Sequence, residues 1–421
     1  MKKAPLQSFN FLFFALPLLL TGLFSACSTK TSDTPLLKTG TWRALLHTQG
    51  QQIPFLFEAV QQQDKTVLYL LNGAERILLD DVVQEQDSLK IRMHIFDAAI
   101  ITAVRDGRMA GRFVKNDADA YYAIPFTAEH GQVNRFSENP APASYDYKGT
   151  WEVMFTNREG KSTKAVGVFE QQDNQLTGTF MTQTGDYRYL AGEVSGDSLA
   201  LSAFDGSHAY LFKATPTNAQ TIQGEFYSGL TGYSTWTATR NEQASLANPD
   251  SLTYLKEGYE TLSFTFPNLE GKQVSLSDPE FRNKVVVVQL LGSWCPNCMD
   301  ETAYLAPFYK EHQAKGLEII GLGFERSPEF DKAAARLQRM KDRYDITYDL
   351  LVAGTTEKGS AAAALPALNH VMSFPTTIII GRDGKVRKIH TGFSGPGTGR
   401  YYEEWVAEFN KSISELLAEQ E

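Results

Sequence analysis

Cysteine is scarce in this 421-residue chain: there are three, Cys27, Cys295 and Cys298. Two of them form a CxxC, but no second CxxC and no close pair of histidines accompanies it, so the sequence does not assemble the four ligands of a zinc site. Basic runs are lacking too, with no interleaving of aromatic and basic residues, and the formal net charge is −9. That balance favours solubility and argues against nucleic acid as a partner. Helical periodicity is missing from residue 36 to about residue 243. The glycine-rich stretch 392–399 has no P-loop lysine after it, which argues against a phosphate cradle and leaves a flexible loop. No metal and no cofactor is expected.

What is present begins with an export signal. Lys2 and Lys3 precede an apolar core at residues 11–20, and Phe24-Ser25-Ala26-Cys27 resembles a lipobox, whose cysteine is lipidated and becomes the first mature residue. The chain departs from that pattern at Phe24, where lipoboxes prefer Leu; Leu23 lies one place further out. A short apolar stretch followed by polar residues 28–33 points to a cleaved signal rather than a spanning helix. Residues 1–26 are expected to be a lipoprotein signal peptide and 27–39 a tether. Cys27 would then hold the body at a membrane, in the cell envelope and facing the periplasm. Lys2 and Lys3 are the only charges lost with the signal, so the net charge moves from −9 to −11.

Residues 36 to 243 read as β structure. Runs at 41–48, 53–60, 66–71, 75–83, 89–95 and 98–104 are separated by Gly, Asn, Asp and Gln at hairpin spacing. The region also repeats itself. Gly40-Thr41-Trp42 recurs at Gly149-Thr150-Trp151, Phe57-Glu58 at Phe169-Glu170, Asp87-Ser88-Leu89 at Asp197-Ser198-Leu199, and Phe96-Asp97 at Phe204-Asp205, with offsets of 109, 112, 110 and 108 residues. We read two copies of one unit, 40–130 and 145–243, each with room for about eight strands in a small antiparallel barrel or sandwich. The paired Gly-Thr-Trp openings resemble the first strand of lipocalin- and avidin-type barrels. A Trp at a strand start is expected to plug the end of a core.

After a polar linker, 244–260, the pattern changes. Val285–Leu291 and residues 317–323 are continuous apolar runs of the kind a central parallel strand needs. Helical segments at 300–310, 329–344 and 401–417, a β-branched run at 376–381, and Asp383-Gly384 before a returning strand at 385–390 complete the order β, α, β, α, antiparallel hairpin, α. That order is the thioredoxin fold. The chain as a whole is therefore expected to be multidomain: an N-terminal all-β region with an internal duplication, then an α/β thioredoxin-like domain at 261–421.

Trp294-Cys295-Pro296-Asn297-Cys298 follows the first apolar run. Two thiols so placed can do disulfide chemistry. A Cys295 thiolate at a helix N-terminus would face unpaired N–H groups and the positive end of the helix dipole, with Cys298 one turn in as its resolving partner. A purely structural disulfide is the alternative.

Residues 261–421 resemble the TlpA/ResA-like thiol-disulfide oxidoreductases, an extracytoplasmic branch of the thioredoxin superfamily. The likeness is carried by Phe264-Thr265-Phe266-Pro267 through Lys272, Val274-Ser275-Leu276-Ser277, Lys284-Val285-Val286-Val287-Val288, Ser373-Phe374-Pro375-Thr376-Thr377, Asp383-Gly384-Lys385-Val386 and His390-Thr391-Gly392-Phe393. It implies that Cys295 attacks and Cys298 resolves. It also implies that Pro375 is cis, and that Trp294, Phe374, Pro375 and Thr376 line the substrate groove. Thioredoxins carry a buried acid six residues before the first cysteine. Here that residue is Gln289, and a family glutamate at the position of Glu301 implies an acid/base acting on the pair. Glu301 lies one helical turn beyond Cys298, on the same face. Its alternative is a first-turn acid favoured by the dipole, a role that suits Asp300 better. Ala303 stands where the family has a proline, so the kink that proline provides is not expected. His370, near the end of an insertion at 355–370, reads as solvated or structural.

The leading function is a membrane-tethered thiol-disulfide oxidoreductase, a reductase rather than an oxidase, acting on protein disulfides and recharged by a thiol protein. A peroxiredoxin is excluded, since its Pro/Thr/Cys arrangement is missing before the helix. The contrasting function is a binding lipoprotein whose β repeats hold a ligand or partner, with the thioredoxin-like domain as accessory.

Overall fold

The computed structural model describes residues 37–419, apart from 64, 86, 87, 117–120 and 358. The signal peptide, Cys27 and most of the tether lie outside the described residues.

Nine antiparallel strands form the first sheet: β1 (Gly40–Thr48), β2 (Gln51–Gln62), β3 (Lys65–Asn72), β4 (Glu75–Leu79), β5 (Val82–Glu85), β6 (Ser88–Arg92), β7 (Ala98–Arg105), β8 (Arg108–Lys115) and β9 (Tyr122–His130). Their order is β4-β3-β2-β1-β9-β8-β7-β6-β5, so the meander curls until its first and last strands pair, leaving β4 and β5 at the two edges. Where one strand was expected at 75–83 there are two, broken at Asp80-Asp81, since adjacent carboxylates are poor strand formers. The break sits where the thioredoxin-like domain docks: Arg343 pairs with Asp80 at 2.9 Å and donates to the Leu78 carbonyl of β4 at 3.0 Å.

The second set is β10 (Gly149–Asn157), β11 (Ser162–Gln172), β12 (Gln175–Thr182), β13 (Gly185–Asp186), β14 (Leu190–Ser195), β15 (Ser198–Phe204), β16 (Ala209–Asn218), β17 (Thr221–Ser228) and β18 (Gly232–Arg240). Here β10 pairs with β18 and β11 with β12, so eight strands close a barrel and the two-residue β13 turns back onto β12. The duplication is visible in side-chain chemistry. Trp42 Nε1–H donates to Lys38 O at 2.9 Å and Trp151 Nε1–H to Tyr147 O at 2.9 Å, four residues back in each copy. Both indoles are fully buried, as plugs would be. Phe155, Phe180, Phe212, Phe226 and Trp236 pack ring on ring inside the second barrel, which makes its interior a core.

The C-terminal domain opens with a short hairpin, β19 (Thr265–Pro267) and β20 (Gln273–Ser275). Its sheet holds β21 (Val285–Leu291), β22 (Leu317–Glu325), β23 (Asp349–Thr355), β24 (Thr376–Ile380) and β25 (Val386–Thr391), in the order β23-β22-β21-β24-β25. β21, β22 and β23 are parallel; β24 and β25 form the antiparallel side of the sheet. Every residue of β21 is buried. Its alternate side chains Val285, Val287 and Leu291 meet α1 (Pro296–His312), α2 (Phe330–Tyr344) and α4 (Arg400–Ala418), while Val286, Val288 and Leu290 meet Phe264, Val274 and Leu365 on the other face. The insertion supplies the short α3 (Ser360–Ala364), packed against β23. Ala244 packs with Val166 and Met181 of the second barrel, and the linker then seats on this domain: Asp250 bonds His390 at 2.7 Å and Lys388 at 3.0 Å, and the hydroxyls of Thr253 and Thr391 meet at 2.8 Å.

Candidate active site

The buried strand β21 ends at Leu291, and the chain turns through Gly292–Trp294 into α1, which begins inside the CxxC itself. The sequence marks a helical segment from residue 300 and places the CxxC at its opening. Pro296 starts it earlier, because its fixed φ suits the first helical position and that position needs no N–H. Cys295 is the N-cap. Its sulfur accepts the Cys298 N–H at 3.3 Å, and its thiol lies 3.5 Å from the Phe374 carbonyl. Pro307 lies within α1, so the Ala303 carbonyl has no N–H to receive one turn on. The helix therefore carries a proline, four residues later than the family position.

Both thiols are free, and they differ in exposure. Cys295 keeps 6 % of its surface and Cys298 none. Burial pushes the Cys298 thiol well above the ordinary range, and its hydrogen bond and charge coupling with Cys295 push the same way. Both cysteines are buried, and Cys298 is the more deeply enclosed of the two.

Glu301 is fully buried on the inner face of α1. Its Oε1 accepts the Thr377 hydroxyl at 2.6 Å and its Oε2 accepts Gln289 Nε2–H at 2.7 Å, while Gln289 Oε1 accepts from Thr302 at 3.2 Å. Burial pushes the Glu301 carboxyl up to about 6, against those two hydrogen bonds. Gln289 Nε2 also lies 3.5 Å from the Cys298 carbonyl, so Gln289 joins the acid to the cysteine helix.

The Phe374–Pro375 bond is cis. Trp294 meets Phe374 edge to face at 6.0 Å, donates Nε1–H to Phe324 O at 2.9 Å, and carries the Arg326 guanidinium 5.3 Å above its ring. Thr376 was expected in the groove. Its side chain is fully buried and donates to Ser373 O at 2.8 Å, so it holds the loop rather than facing a substrate. Among the described residues, no group of three or more His, Cys, Asp or Glu side chains is placed to hold a metal ion.

Three features were missed from sequence. Thr377 is the second partner of Glu301, visible only as one more β-branched residue. Glu325, buried at the end of β22, takes the N–H and hydroxyl of Ser293 at 2.7 and 2.8 Å, fixing the turn before Cys295. Asp300, expected merely to greet the helix dipole, instead meets Arg188 from the second barrel at 2.8 Å. Arg188 also reaches Glu75 of the first sheet at 2.5 Å and the Pro296 carbonyl at 2.8 Å. Burial pushes the Asp300 carboxyl up to about 8; Arg188 opposes this, while Glu75 and Asp186 add to it. The geometry is that of an ion pair, yet a carboxyl titrating near 8 is largely protonated at neutral pH. Arg188 brings one positive charge to the carboxyls of Glu75 and Asp300, so the trio is neutral when Asp300 holds a proton.

Comparison with known proteins falls on this same region. A redoxin family model matches residues 256–404. The thiol-disulfide oxidoreductase ResA of Halalkalibacterium halodurans is 29% identical over 137 residues, 32% of this chain and 69% of that protein. The thioredoxin-like protein YneN of Bacillus subtilis is 28% identical over 138 residues, 33% of this chain and 73% of that protein. A crystal structure of a thioredoxin-family thiol:disulfide interchange protein from Chlorobium tepidum TLS aligns over 39% of this chain and 99% of its own, with 16% identity and a TM-score of 0.30. The C-terminal third of the chain is a redoxin-type domain of the ResA/TlpA-like thiol-disulfide oxidoreductases, and the protein is an enzyme of that class.

Proposed function

We propose that this enzyme is an extracytoplasmic reductase of protein disulfides, working through the Cys295–Cys298 dithiol and held at a membrane through Cys27. The observation that carries the reading is a free CxxC dithiol at the start of α1, with Cys298 fully enclosed and the buried acid Glu301 one turn beyond it. Cys295 thiolate attacks one sulfur of the substrate disulfide; a Cys295–substrate bond forms, the substrate S–S bond breaks, and the first substrate thiolate leaves and takes a proton. Cys298 gives up its proton and attacks the Cys295 sulfur, releasing the second substrate thiol. The dithiol loses two electrons and two protons, and the substrate gains them.

Glu301 serves the second step. A thiol held protonated by burial needs a base, and a carboxyl poised near neutrality can take the proton and later return it. The same thiol supports the reductive direction, since a dithiol whose inner thiolate is poorly stabilised yields its electrons more readily than one whose thiolate is stabilised. A thiol protein must then return two electrons to the Cys295–Cys298 disulfide. The export signal and lipobox support the location.

The test is a pair of variants in the full chain, reduced beforehand with dithiothreitol. Cys295→Ser should lose disulfide reduction while remaining folded. Cys298→Ser should accumulate a mixed disulfide on Cys295, seen by mass spectrometry. Undiminished turnover in Cys295→Ser would overturn the reading.

A further inference from the structure

The second barrel supplies one rim of the redox site. Residues 183–186 run along the loops that surround Cys295. The Ser373 hydroxyl donates to Thr184 O at 2.6 Å, one residue before Phe374, whose carbonyl faces the Cys295 thiol. Asn297 Nδ2–H, from within the CxxC, donates to Asp186 O at 3.3 Å. Gly395 N–H donates to Asp186 Oδ2 at 2.6 Å. At Gly392 the approach is so close that a Cβ would stand 3.1 Å from Gln183 O. One short segment thus touches the CxxC, the loop of Pro375 and the loop after β25.

This rim is anchored on both sides. Tyr187 turns inward among Phe155, Phe180, Phe212 and Phe226, with ring centroids 5.3 to 6.2 Å away. Arg188, in the left-handed region at φ 57°, turns outward to Pro296 O, Asp300 and Glu75. A non-glycine residue holds that backbone only where its surroundings fix it. Gln183 and Thr184, at the crest, remain exposed.

We propose that residues 183–188 are the specificity element of the thiol-disulfide centre: a fixed wall that narrows the approach to Cys295, admitting small or protruding disulfides in preference to those set in a protein surface. The inference rests on Cys295 being the attacking thiol. The physical reason is alignment. The attacking sulfur must meet the target disulfide along its S–S axis, and a wall on one side of a cysteine that is itself only 6 % exposed removes orientations a bulky substrate could use.

The experiment compares the reduced full-length protein with two crest variants, Thr184→Trp and Gln183→Gly/Thr184→Gly, using insulin and 5,5′-dithiobis(2-nitrobenzoate) as protein and small-molecule disulfides. Both positions are exposed, so folding is spared. The ratio of kcat/KM for insulin to that for the small disulfide should fall about fivefold in Thr184→Trp and rise about threefold in the glycine variant, the size expected for gain or loss of one contact at the rim. The same ratio in all three proteins would overturn the wall. A parent protein inert toward both disulfides would instead overturn the dithiol reading on which the wall depends.

Discussion

Replacing Glu301 by Gln should remove one titration from the redox site while preserving its shape. Gln keeps an acceptor for Gln289 Nε2–H if its carbonyl occupies the place of Oε2, and its amide can then face the Thr377 hydroxyl, which is free to rotate and accept. The carboxyl it replaces is raised by burial from 4.5 to about 6, a difference of about 2 kcal/mol in linkage terms. Because the folded value lies above the unfolded one, that contribution to stability is fully present below about pH 4.5 and is lost as pH rises through about 6. Relative to the parent, Glu301→Gln should therefore gain about 2 kcal/mol of stability between pH 4 and pH 8, measured by urea unfolding at both. In activity, kcat/KM for disulfide reduction by the parent should show an inflection near pH 6 that the variant lacks. A stability difference flat across that range, or the same inflection in both proteins, would refute the assignment of the acid.

Other expectations follow from the interdomain cluster and the repeats. Arg188→Met should cost about 3 kcal/mol in denaturant titrations by leaving the Glu75 carboxylate without its partner. With its carboxyl raised to about 8, Asp300 contributes stability that is whole below its ordinary 3.8 and gone once pH passes the raised value; Asp300→Asn should flatten the stability curve between those limits. Trp42→Ala and Trp151→Ala should each cost about 3–5 kcal/mol and lower Tm by calorimetry, since each empties a fully buried plug position. Gly392→Val should change the insulin-to-small-disulfide ratio, because its side chain would press on the Gln183 carbonyl and its φ of 82° disfavours a branched residue.

The central strand of the thioredoxin-like domain was legible because it is buried on both faces, and burial on both faces demands the apolar run that Val285–Leu291 shows on either side of Gln289. β23 was missed for the opposite reason: only Leu350, Leu351 and Val352 mark it, and an edge strand is paired on one side alone. The start of α1 was obscured by Asn297 and Asp300, polar residues whose reason for being there lies outside the helix. The duplication was readable because short motifs recur at nearly constant offset. Of the site, the two thiols, Glu301 and Pro375 announced themselves by spacing and by likeness. The barrel rim could not, since Arg188 acts on Pro296, 108 residues away, and Thr184 on Ser373, 189 away. Such separations leave no local pattern.

The unclosed first sheet has a consequence for how the chain holds together. Edge strands present rows of unpaired N–H and C=O groups and invite strand addition from other molecules, the first step of many aggregation routes. The second barrel avoids this hazard by closure, whereas the first ends at β4 and β5. Arg343, on α2, places its guanidinium against the Leu78 carbonyl at the β4 edge and against Asp80 at the break. Through Arg343 the redox domain thus acts as a guard at the β4 edge of the first sheet. Expressed without that guard, the β region would expose an edge competent to recruit a second copy, so oxidoreductase and β repeats are bound together by solubility as well as by sequence.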